Sequence, residues 1–123
     1  MQVKIDTREK FHAITIMDPT IAANMTAELD DCLLSVLQNG VKNVVLNLED
    51  IQTLDNAAAE QIASLQRRFH ENGASFVICG LSAEAERALG RMGLSNQLGV
   101  VPTESEARDM VLMEEIEREL ANE

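Results

Sequence analysis

The chain predicts an α/β domain: a mixed sheet of four to five strands packed with about four helices. Three observations carry that expectation. Short apolar runs alternate with segments of helical periodicity, the order expected of parallel strands joined by crossover helices. Residues 44–48 and 75–79 are almost continuously apolar, as strands covered on both faces are. The chain has 123 residues and 46% hydrophobic side chains, which suits one core. Aromatics are only 2%, so that core must be built from aliphatic residues and Met.

Residues 3–7 alternate apolar and polar side chains and predict a strand. Arg8, Glu9 and Lys10 form a polar turn, and residues 11–17, with Ile14 and Ile16, predict a second strand antiparallel to the first. Pro19 cannot donate to a ladder and breaks it. A helix is expected from about Met25 to Asn39, with Leu29, Cys32, Leu33, Val36 and Leu37 inward, Asn24 as N-cap and Gly40 as the left-handed stop. After the strand at 44–48, Asp55 or Asn56 caps a second helix running to about Asn72. Its inner face is Ala59, Ile62, Ala63, Leu65 and Phe69, and Gly73 ends it. The strand at 75–79 closes at Gly80. Ser82 caps a helix from Ala83 to about Met92, stopped by Gly93. Val100 and Val101 predict a brief edge strand before Pro102.

Thr103 and Glu106 form a capping-box pair for a last helix, 103–123, striped by Ala107, Met110, Met113, Ile116 and Leu120. That helix is longer than closing the sheet requires. Ile116 and Leu120 fall where no sheet is expected beneath them, so its end reads equally as a frayed terminus or as a contact, either in a homodimer or on a partner. There is no internal repeat and no Gly/Ser linker, and one domain, 1–123, accounts for the whole chain.

The formal net charge is −11 and the pI near 4.5. Nucleic-acid binding needs Lys and Arg to displace counterions, and anionic membranes need the same, so neither is an expected partner. No apolar stretch reaches membrane-spanning length, and residues 1–6 lack the pattern of a secretory signal. Cys32 and Cys79 lie far apart, outside any metal or redox spacing, and read as small buried apolar residues. A reducing compartment follows, most simply the cytoplasm.

No constellation announces catalysis, so a non-enzyme is expected. His12 is expected to point outward from its strand. His70 follows Arg67 and Arg68 near a helix end, and no third ligand is placed beside it. No Ser–His–Asp set appears. The segment Gly90-Arg91-Met92-Gly93 lacks the phosphate-loop ending, and no strand is followed by a dinucleotide fingerprint. Neither a metal nor a cofactor is expected.

The informative segment is 44–59, where a buried strand runs through a short loop into a helix start occupied by Asp55 and Asn56. A helix N-terminus exposes unpaired N–H groups and a partial positive charge, so it is a natural place to receive a phosphate or a partner's carboxylate. With the element order, the run 44–48, Ile51, Leu54-Asp55 and the stretch Thr26-Ala27-Glu28-Leu29, the chain resembles a STAS domain, the family of sulfate transporters and anti-sigma-factor antagonists. In the antagonists this turn reads Asp-Ser-Ser-Gly or Asp-Ser-Thr-Gly, and a hydroxyl after the Asp is phosphorylated by an anti-sigma kinase. Here the matching residues are Asp55, Asn56, Ala57 and Ala58. The family often also places an acid before the first helix, where this chain has Ala23 or Asn24.

The resemblance implies a protein-binding surface at Thr53, Asp55, Asn56, Ala57, Ala58 and Glu60, flanked by residues 20–24, with Ala57 and Ala58 allowing close backbone approach. Asn56 occupies the phospho-acceptor position without a hydroxyl. It is neutral, unlike a phosphoserine with about −1.5 to −2 charges. The nearby hydroxyls of Thr53 and Ser64 read first as ordinary strand and helix residues. The implied role is a regulator of the anti-sigma-factor-antagonist kind without the usual switch, its partner an anti-sigma kinase. The alternative is a constitutive STAS subunit of a transporter ATPase or sensory complex. A small-ligand role, for a nucleotide or lipid, is the weakest of the three.

Overall fold

The computed structural model describes residues 1–94 and 98–122; the end of the 103–123 helix expectation, at Glu123, lies outside them. The main sheet holds β1 (Val3–Thr7), β2 (His12–Ile16), β4 (Val44–Asn47) and β6 (Phe76–Cys79), in the order β1-β2-β4-β6. A separate two-stranded piece pairs β3 (Thr20–Ile21) with β5 (Thr53–Leu54). The first hairpin is antiparallel, with Val3 opposite Ile16 and Thr7 opposite His12. β2, β4 and β6 run parallel, so His12, Val44 and Phe76 lie in one row and Thr15, Asn47 and Cys79 in another. The edge strand expected at 100–101 reduces to one parallel bridge from Val101 to Cys79, because Pro102 has no N–H to extend it.

The helices are α1 (Thr26–Val36), α2 (Asn56–Glu71), α3 (Ala83–Arg91) and α4 (Glu104–Ala121). One sheet face carries Ile14, Ile16, Val44, Leu46 and Ile78, buried under Leu29 and Leu33 of α1 and Ile62, Leu65 and Phe69 of α2. Phe69 meets Phe76 edge to face at 5.0 Å. The opposite face carries Phe11, Ala13, Val45, Val77 and Cys79, covered by Ala107 and Val111 of α4. Alternation along β4 therefore feeds two cores from one strand.

Four local expectations are corrected. Asn24 does not cap α1: it lies exposed within a 3-10 turn, Ala23–Met25, and α1 has no side-chain cap. The turn leads directly into the helix, so its backbone bonds take the place of a cap. Gly40 is not a left-handed stop: α1 ends at Val36, and Leu37, Gln38 and Asn39 donate back to Leu34, Ser35 and Val36. His12 is buried, not outward: Nε2 donates to the Val41 carbonyl at 3.0 Å, leaving Nδ1 to accept from the Thr7 hydroxyl at 3.0 Å. Cys79 is buried as expected, whereas Cys32 is only half-buried.

The α4 stripe is also re-aimed. Ala107 is buried and Met110 half-buried, but Met113, Ile116 and Leu120 are 61%, 56% and 62% exposed. The arc facing the sheet passes instead through Val111, Glu114, Glu115 and Arg118. Beneath its second half lie the polar starts of β4 and β6, and there a hydrogen-bonded clamp forms. Buried Asn43 takes the Ser75 N–H at 2.8 Å and one Arg118 Nη2 bond at 3.0 Å on its Oδ1. Its Nδ2 donates to the Lys10 carbonyl and to Glu115 Oε2, both at 2.9 Å. Ser75 Oγ donates to Glu114 at 2.5 Å and accepts from Arg118 Nη1 at 3.0 Å. Among the described residues no buried side-chain polar atom lacks a partner.

Asn43→Ala strips the Ser75 N–H and Arg118 of an acceptor, and chemical denaturation is expected to show a loss of about 1–3 kcal/mol. The Asn43 and Arg118 hydrogen bonds hold the Glu115 carboxyl below its ordinary value of 4.5. A depressed folded pKa contributes stability that is complete above the unfolded value and is lost as pH falls through the folded one. Stability curves should therefore drop as pH falls from about 4.5, and Glu115→Gln should flatten that part of the acid limb.

Candidate functional site

The candidate site lies at the carboxyl end of β4, where the parallel sheet delivers the chain into a loop. Asn47 closes the strand: its Oδ1 accepts the Glu49 N–H at 2.9 Å and turns the chain outward. Gly80, at the end of β6, makes room for that turn. It sits at φ +76°, and a Cβ there would come within 3.0 Å of Asn47 Oδ1 and 3.3 Å of the Glu49 nitrogen. Buried Leu48 and Ile51 then pull the loop back, with the Ile51 N–H on the Leu48 carbonyl at 3.1 Å.

The short β3–β5 pair sets the height of the helix start. Gln52 and Thr53 both donate to the Pro19 carbonyl, at 2.7 and 3.1 Å, and Asp55 donates to Ile21 at 3.0 Å. Thr20 lies opposite Thr53, and Ile21 opposite Leu54. Ile21 and Leu54 are buried, while Thr20 and Thr53 face solvent together. The expected flank at 20–24 is thus joined to the loop by main-chain bonds, with exposed Asn24 on the 3-10 turn beyond it. Sequence reading missed both two-residue strands, because so short a pair carries no periodicity.

Of the two candidates for the α2 cap, the structure selects Asp55. It has extended backbone (φ −66°, ψ 146°), and its Oδ1 accepts the Ala57 N–H at 3.0 Å. Its own carbonyl receives Ala59 at 2.9 Å. A carboxylate here also meets the positive end of the helix. Asn56 is the first helical residue and is exposed, so its amide is free of capping duty. Ala57 and Glu60 are exposed, whereas Ala58 is wholly buried in the core and presents nothing outward. The small size of Ala58 lets α2 start close against the sheet, which is a packing role. Ser64 is half-buried farther along α2. The exposed set is therefore Thr53, Asp55, Asn56, Ala57 and Glu60, and no Lys or Arg occurs between Lys42 and Arg67.

Other chemistry is sparse. Burial, with Glu104 and Glu49 nearby, pushes the Cys79 thiol up to about 11, so it stays protonated; burial raises Cys32 as well. Among the described residues, no group of three or more His, Cys, Asp or Glu is placed to hold a metal ion. Among them, too, no helix is long and apolar enough to cross a membrane.

A strand–loop–helix surface of this kind, on a mixed sheet entered through an antiparallel hairpin, defines a class, and comparison with known proteins places the chain within it. The STAS domain model matches residues 2–107, and the chain belongs to the STAS domain family. The remainder of α4 extends past that match. Among similar solved structures is an anti-sigma factor antagonist from Mycobacterium paratuberculosis, at TM-score 0.78 and 14% identity, with 89% of this chain and 92% of that one covered. The anti-sigma factor antagonist SpoIIAA in its unphosphorylated form matches at TM-score 0.73 and 14% identity, covering 89% and 96%. The murine anion transporter Slc26a9 matches at TM-score 0.70 and 14% identity; 85% of this chain corresponds to 18% of that one.

Asp55→Ala should lower stability by about 1 kcal/mol, the ordinary value of a lost N-cap, with Asn56→Ala changing it by less than about 0.5 kcal/mol. Thermal unfolding of the two variants side by side checks which residue caps α2.

Proposed function

We propose that this chain is a non-catalytic protein-binding regulator of the anti-sigma-factor-antagonist kind, working in the cytoplasm. Its partner docks on Thr53, Asp55, Asn56, Ala57 and Glu60, with Thr20 and Asn24 at the rim. The observation that carries this reading is the division of labour at the helix start. Asp55 does the capping, which leaves exposed Asn56 with no structural task of its own, and in this reading Asn56 stands where the family has its phospho-acceptor. An amide cannot accept a phosphoryl group, and it stays neutral at every physiological pH. The docking surface is then held in its unphosphorylated electrostatic state, and an anti-sigma kinase is the partner the family pattern suggests.

A second reading, a constitutive subunit of a transporter ATPase or sensory assembly, draws support from the shared fold of an anion transporter's segment. The same substitution of the acceptor suits that role. Affinity capture from the native cell separates the two by the class of protein retained: a histidine-kinase-like ATPase for the first, a transport ATPase or sensory scaffold for the second.

The test of the surface is titration of the captured partner. Asn56→Asp places a carboxylate beside Asp55 in the contact, where it must lose its water without a cation to meet it. The complex should weaken about tenfold, or about 1.4 kcal/mol. An acid at the start of a helix is favourable, so the fold should survive and the loss will report binding. Equal affinity of the two forms would remove this loop from the interface.

A further inference from the structure

β1 is the outer strand of the main sheet, and its open edge is self-complementary. Its backbone groups divide by parity. The Met17 N–H donates to the Gln2 carbonyl and the Arg8 N–H to the Phe11 carbonyl, so even-numbered residues of this strand bond inward to β2. In an antiparallel ladder the odd-numbered residues then point their N–H and C=O groups away from the partner strand. Val3, Ile5 and Thr7 therefore offer an unpaired ladder to the outside.

The side chains follow the same parity. Val3, Ile5 and Thr7 are registered opposite Ile16, Ile14 and His12, and so lie on the same face as those residues. Ile5 is 52% exposed, a large aliphatic side chain on the same face as Val3, which packs against the apolar core. Lys4 and Asp6 lie on the other face and are exposed. Charges on an edge strand commonly guard against pairing. Here one is positive and one negative, spaced equally about Ile5.

We propose that β1 is the seam of a homodimer, in which a second copy of this chain pairs antiparallel with it about a two-fold axis at Ile5. That register places Ile5 opposite Ile5, so the two exchange backbone hydrogen bonds through the groups that face outward. Val3 meets Thr7 of the other copy in the same manner. Lys4 falls opposite Asp6, and Asp6 opposite Lys4, in the non-hydrogen-bonded sites where side chains approach most closely. Asp6 already holds Arg8 at 2.7 Å within its own chain, and the second copy's Lys4 adds another cation to the same carboxylate. The two Ile5 side chains meet across the two-fold axis on the opposite face. A one-residue slip would set inward-bonding groups against outward-bonding ones, and a two-residue slip in either direction would set Lys4 opposite Lys4 or Asp6 opposite Asp6, so backbone parity and charge together select this register. The seam shares no residue with the loop at Asp55 and Asn56, and it stands or falls separately from the function proposed above.

Sedimentation equilibrium of the full chain at moderate salt, across a wide concentration range, should show a monomer–dimer equilibrium. Lys4→Asp sets acids opposite acids, and Asp6→Lys sets cations opposite cations; each should weaken the dimer about tenfold or more. An equimolar mixture of the two variants pairs Asp with Lys at all four positions and should recover dimer at the wild-type level. Ile5→Pro deletes an outward donor while sparing the β1–β2 bonds, so it should give a monomer with an unchanged far-UV spectrum. Hydrogen exchange should slow with concentration at Ile5 and Thr7, but not at Lys4 or Asp6. A monomer at every concentration overturns the proposal. So does a dimer that both charge reversals leave intact; if Ile116→Ser and Leu120→Ser then dissolve it, the apolar face of α4 is the seam instead.

Discussion

The double-sided burial of β4 organises this molecule. Val44 and Leu46 face α1 and α2, Val45 faces α4, and all three are fully buried. A strand with no solvent face needs helices above and below, and parallel neighbours reached by crossover connections. Both polar features of the protein hang from its ends. Asn43 at its start anchors the clamp on α4, and Asn47 at its end turns the chain into the loop that leads to Asp55. The two features lie at opposite ends of β4, and α4 spans both, with Glu104 at its start lining one cavity with Asn47 and Glu49.

At the loop, the residues that hold the backbone are not the ones left with exposed side chains. Main-chain bonds to Pro19 and Ile21 hold the segment, Ile51 and Leu54 anchor it, and Asp55 satisfies the helix start. Asn56 and Ala57 are left with exposed side chains on a backbone that is already determined. A site built this way tolerates change at its tip, because substitution there removes no hydrogen bond the fold requires. In the reading proposed here, Asn56 in place of a phospho-acceptor hydroxyl is such a change. In the regulatory role proposed here it converts a switchable surface into one of constant charge.

Most of the fold was legible in the chain, and most of the exceptions share a cause. Strong signals were runs or caps: the apolar run at 44–48, Ser82 and Thr103 as caps, and Gly73 and Gly93 as left-handed stops. Two failures were local, at Asn24 within its 3-10 turn and at Gly40 beyond the end of α1, and most of the others were features in which two distant segments must meet. The β3–β5 pair joins Thr20 to Thr53. His12 is buried because Val41 returns beside it. Met113, Ile116 and Leu120 repeat with helical period yet face solvent, because the ground beneath α4 is polar at Asn43 and Ser75. Periodicity states that a stripe exists; it does not state what lies under it.

Within the chain itself, local chemistry determined the order of elements, the α/β class, the helix start at residues 55–56 and the absence of any hydroxyl side chain from residues 55–58. Those properties depend on neighbours within a few residues. Only the tertiary structure decided that Asp55 rather than Asn56 caps α2, that Ala58 faces inward, and that Arg118, Glu115 and Asn43 form one network. Each of those outcomes depends on where separate segments converge once the sheet has assembled, a geometry no single stretch of residues contains.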